Sequence, residues 1–96
     1  MDKPRAIPYE AGTDPQRQFI HLMRLAWDLR DLGLTISVNL PQAREPALIV
    51  QQASGPLRIA ATKRDRKWVF TWGRGPDQWV HALDEYAALR IRQVAL

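Results

Sequence analysis

Four cations in five residues, Lys63-Arg64-Asp65-Arg66-Lys67, form the densest chemical feature of this chain. With Arg58 and Arg74 nearby, they could neutralise several phosphates and give nucleic-acid binding that depends on salt and ignores base sequence. The same residues also suit a solvated hairpin tip, where charge discourages unwanted strand pairing. Lys and Arg total 14 against 10 Asp and Glu, a net charge of +4. Positions 47–76 hold six basic residues and one acidic, so that stretch carries +5 and the remainder −1. The chain is thus a near-neutral body with one basic segment, and an argument from charge to a partner must run through it.

Material for catalysis is thin. His21 and His81 are the only imidazoles, and neither stands in a metal-binding spacing with a second histidine. Asp28 and Asp31 share a helix face with Arg24 and Arg30 close enough to pair with them. Asp84 and Glu85 are adjacent and would diverge around a helix by about 100°, which prevents them from sharing a proton or a metal. Ser37 and Ser54 lie in no nucleophile motif, and Gly73-Arg74-Gly75-Pro76 is too short for a phosphate cradle. With no cysteine there is no disulfide, thiolate or cysteine-zinc chemistry. The expectation is a non-enzymatic protein that needs no cofactor and no metal. Absence of cysteine and of any apolar run long enough for a signal peptide or membrane span fits a soluble cytoplasmic protein.

The elements that would carry these residues follow from periodicity. A chain of 96 residues that is 46% hydrophobic and 25% charged holds one core. Residues 1–13 are polar and aperiodic, with Pro4, Pro8 and Gly12, and read as a flexible leader before a single domain over 14–96. Thr13 or Asp14 can cap a helix with Pro15 in its first turn. Phe19, Leu22, Met23, Ala26, Leu29 and Leu32 then form its apolar stripe, and Gly33 ends it. Alternation predicts strands at 34–40, 47–52, 57–63 and 67–72. An even loop at Asp65-Arg66 or 64–67 sets Ala61 opposite Phe70 and Lys63 opposite Trp68, which keeps apolar residues on one face. Asp77 or Gly75 would cap a last helix with Val80, Leu83, Ala87, Ile91 and Val94 in its stripe. The predicted fold is α+β: helix, four-stranded antiparallel meander, helix, both helices on one face of the sheet.

Placing Trp68, Phe70 and Trp72 in that core leaves the opposite sheet face uncovered. Thr35, Ser37, Asn39, Arg58, Ala60, Thr62, Val69 and Thr71 would make it polar, small and flat. Short side chains allow close approach by a second copy or a regulatory partner, so Thr35, Ser37, Asn39, Thr62, Val69 and Thr71 are the expected partner-binding residues. Arg58, Lys63, Arg64, Arg66, Lys67 and Arg74 are the candidates for the alternative, nucleic-acid binding.

The order helix, sheet, helix is similar to the double-stranded-RNA-binding domain, but Asp77-Gln78-Trp79-Val80-His81 has no lysine where that family's second helix begins with several. A closer match rests on Leu32-Gly33-Leu34, Pro46-Ala47-Leu48-Ile49-Val50, and Trp68-Val69-Phe70-Thr71-Trp72-Gly73 before a helix with Ala87-Ala88 and Ile91. In these, residues 17–94 resemble small uncharacterised actinobacterial α+β proteins often encoded beside helix-turn-helix regulators. That resemblance implies a non-catalytic accessory role and carries over no site residue.

Overall fold

A computed structural model of the chain describes residues 14–41, 45–52 and 55–95. The expected leader, the proposed cap Thr13 and Ser54 lie outside them. The elements run α1 (Asp14–Asp31), β1 (Ile36–Asn39), β2 (Ala47–Val50), β3 (Leu57–Arg64), β4 (Lys67–Thr71), β5 (Trp79–His81) and α2 (Ala87–Ala95). The class is α+β, with an antiparallel meander in the order β1-β2-β3-β4-β5. The sheet therefore has five strands where four were expected.

The fifth strand is the segment assigned to the start of the last helix. Three residues cannot distinguish a period of two from one of 3.6, and Trp79-Val80-His81 satisfies either. Backbone pairing decides it: Trp72 N donates to Gln78 O at 3.2 Å, and Ala82 N donates to Trp68 O at 2.9 Å. The connecting loop is pinned by Gln78, whose Oε1 accepts from Gly75 N at 2.9 Å. Neither Gly75 nor Asp77 caps a helix. That task falls to Asp84, whose Oδ1 accepts the Tyr86 N–H at 2.8 Å ahead of α2. The stripe proposed for this helix is accordingly divided: Val80 is buried from β5, Ala87, Ile91 and Ala95 are buried from α2, and Leu83 and Val94 are exposed.

The first helix keeps its predicted length and much of its predicted stripe, with Leu22 and Leu29 buried and Met23 and Ala26 packed partly buried against the core, but the buried arc is shifted. Gln18, Leu22, Leu25 and Leu29 are buried, while Phe19 stands 39% exposed. Gly33, at φ +89°, closes it: Gly33 N donates to Arg30 O and Leu34 N to Leu29 O, the paired bonds of a Schellman end. Leu22, Leu25 and Leu29 join Leu48, Val50, Ile59, Ala61, Phe70 and Val80 of the sheet and Ala87, Ile91 and Ala95 of α2 in one cluster. Trp68 and Trp72 pack partly buried against it, on the face expected for them. Helix α1 contacts the sheet and α2, and α2 contacts α1 and β5.

The predicted hairpin register holds, with Ala61 opposite Phe70 and Lys63 opposite Trp68. Its turn is the two-residue option, Asp65-Arg66, with φ of 54° and 68°. Two successive left-handed residues make the turn whose twist matches that of the flanking strands, and here neither is glycine.

Candidate functional site

Strand register sorts the hairpin cations by face. Positions 57, 59, 61 and 63 of β3 point to the core side, and 58, 60, 62 and 64 to the other. Lys63, a nucleic-acid candidate, is therefore on the helix side, where its Nζ lies 3.1 Å from Asp14 Oδ1 and 5.9 Å from the centre of the Trp68 ring. Arg58, Arg64 and Lys67 fall on the open side, and Arg66 is in the turn. Arg74 is exposed in the loop before β5. Among the described residues no carboxylate lies within ion-pair distance of Arg58, Arg64, Arg66, Lys67 or Arg74.

The open face divides into two halves. On the β3–β5 side, β5 adds Trp79 and His81, which register places beside Thr71 and Val69. The two rings meet edge to face at 5.0 Å, Arg64 lies over the Trp79 ring at 5.2 Å, and Trp79 Nε1 donates to Pro76 O at 2.8 Å. Val69 is fully buried and offers no surface to a partner, although it was among the expected contacts. Thr71 is half-buried, and Thr62 is exposed. Trp79 was missed as a face residue because a helical reading put it one position off an apolar stripe.

On the β1 side, Thr35, Ser37 and Asn39 are all exposed. Gln51 N donates to Thr35 O at 3.1 Å, and bonded pairs alternate along an antiparallel ladder. Ser37 and Asn39 thus direct their backbone groups to β2, while Ile36 and Val38 direct theirs outward. Among the described residues no strand pairs with that outer edge. Residues 32–41 contain no charge, and Val38 and Leu40 are 41% and 61% exposed.

A third surface lies on the helix side, a groove of about 1210 Å³ between α1, the start of β4 and the segment after β5. Phe19, Ile20, His21, Trp68 and Leu83 are among its walls, and Lys67 and His81, which strand parity assigns to the open side, border it as well at the sheet's end. Two of these, Phe19 and Leu83, were expected in core stripes; an apolar arc wider than one face, Phe19-Ile20 with Leu22-Met23, is the signal that could have found the first. The His21 ring lies against Trp68, centroids 5.5 Å apart and planes tilted by 42°. Burial, and then the charges of Arg24 and Arg17, hold its pKa below the usual 6.5. Asp84 also lines the groove, with its carboxylate engaged as the α2 cap. Among the described residues no group of three or more His, Asp or Glu could hold a metal ion, and no helix is long and apolar enough to cross a membrane.

No family model, no curated protein and no solved structure matches the chain.

Proposed function

We propose that this protein is a non-enzymatic interaction module that self-associates through its β1 edge and the uncharged part of the open face beside it. One observation carries the reading: β1 presents the outward N–H and C=O groups of Ile36 and Val38 from a segment without a single charge. Exposed edges normally carry lysine, proline or a bulge that blocks further pairing. Here the strand interior has none of these residues, and two apolar side chains extend beside the free edge.

A two-fold axis at Val38 would set Val38 against its copy and Ile36 against Leu40 of the second copy. That register forms roughly six backbone hydrogen bonds and continues the apolar row on the helix side. Ser37 and Asn39 then line the open side of a joined sheet, with Thr35 at its margin. A regulatory protein could offer the same edge a strand, but a second copy supplies the matching uncharged sequence itself. The lack of cysteine suits the cytoplasm as the place of action.

The test is light scattering on the wild-type chain and on Val38→Pro. Proline removes one outward N–H and leaves every bond between β1 and β2 in place. The wild type should be a dimer, and Val38→Pro a monomer with an unchanged circular dichroism spectrum; Val38→Lys should act in the same direction. A wild-type monomer well above micromolar concentration, or a Val38→Pro dimer, overturns the proposal.

A further inference from the structure

The cationic half of the open face has a separate use. Strand parity assigns Arg58, Ala60, Thr62 and Arg64 of β3, Lys67, Val69 and Thr71 of β4, and Trp79 and His81 of β5 to that side. There is no Asp or Glu among them, although the chain has 10. The carboxylates with described partners lie elsewhere: Asp14 pairs with Lys63 across the core side, Glu45 accepts from Gln18, and Asp84 caps α2. By strand parity Arg58, Arg64 and Lys67, which have no ion-pair partner among the described residues, share this side with an aromatic ring and two threonines, Lys67 at its border with the helix-side groove.

We propose that this half of the face binds single-stranded nucleic acid. Arg58 and Arg64, six residues apart on β3, are separated by roughly 20 Å at the usual strand rise, a span that follows an extended backbone rather than one anion. Arg64 lies over the Trp79 ring and has no carboxylate partner among the described residues, so its charge is placed without an ion pair there. A guanidinium over an indole gives unstacked bases a flat surface, and every base has a face to offer it. Thr62 is exposed beside Arg64 and adds a hydroxyl donor. Duplex is the poorer fit, because a flat sheet face projects nothing into a groove. The site goes beyond the self-association reading and does not depend on it, since β1 takes no part.

The experiment is fluorescence anisotropy with labelled dT20, with a duplex of the same length, and with polyglutamate as competitor. Wild-type protein should bind dT20 more tightly than duplex, with a log–log salt slope near −2, about −0.7 for each of three phosphate contacts. Arg58→Glu with Arg64→Gln and Lys67→Glu should weaken binding at least about tenfold with the circular dichroism unchanged. Lys63→Gln, on the other face, should leave it as it was. Val38→Pro separates the two proposals, because a monomer should still bind dT20. The inference is overturned by no binding at low salt, by duplex bound as well as dT20, or by Lys63→Gln matching the triple variant. Displacement of dT20 by an equal concentration of polyglutamate also overturns it, in favour of an acidic protein.

Discussion

Gln18 is the buried polar side chain of the described core, and its role depends on a proline far away in sequence. Continuing the β2–β3 register from Leu48 opposite Ile59 sets Ala61 against Pro46, which has no N–H to give. Gln18 Nε2 fills the vacancy, donating to Ala61 O at 2.8 Å and to Glu45 Oε1 at 2.7 Å. Its amide thus completes a sheet ladder from a helix. Gln18→Leu should cost about 1–3 kcal/mol in urea unfolding, because the carbonyl stays buried without a donor. A loss below experimental error would show that water replaces the amide. Periodicity could not identify this residue, since an apolar stripe is drawn without polar members, and the three-dimensional partner is 43 positions away.

At the scale of elements, the hairpin carries the most legible information and, at Asp65 and Arg66, the positive-φ non-glycine residues of the described chain. Its register followed from matching faces, because a slip of one residue would turn every side chain over. The turn type was not so determined, as two left-handed residues are expected to be Asn-Gly and here are Asp65-Arg66. Each non-glycine residue in that region costs about 1 kcal/mol. Arg66→Gly should therefore raise stability by about 1 kcal/mol, read as a higher urea midpoint with an unchanged slope. No gain would mean that side-chain contacts of Arg66 offset its backbone cost. Element β5 marks the limit of local reading: its pairing depends on a seven-residue loop, 72–78, folding back on β4, which no three-residue pattern encodes.

For the whole molecule, α1 brings His21 against Trp68 of β4, and this links stability to pH. The folded state holds this imidazole below 6.5, so between the two pKa values the unfolded chain binds more protons. The stabilisation of the neutral form is complete above 6.5 and is lost as pH falls through 6.5 and on through the lower folded value. Wild-type stability should decline with acidification over that range, and His21→Gln should decline less steeply in parallel unfolding measurements. Identical pH profiles would remove His21 as the source. Charge is also partitioned at this scale, with Lys63 paired to Asp14 on the helix side and Arg58, Arg64 and Lys67 on the open side without an ion pair among the described residues.

Residue order alone determined the α+β class, the first helix and its glycine end, four of the strands, the hairpin register and the apolar face of Trp68, Phe70 and Trp72. These rest on short-range periodicity and on the rule that apolar side chains share a face, both of which operate within a few residues. Tertiary structure decided which arc of α1 is buried, that Trp79-Val80-His81 pairs as a strand, and that Lys63 belongs to a different surface from Arg58 and Arg64. It also decided which β1 backbone groups face outward. Each depends on partners distant along the chain, and hydrogen bonding and charge act through space, so the cation cluster that is continuous in sequence is divided by the sheet it helps to build.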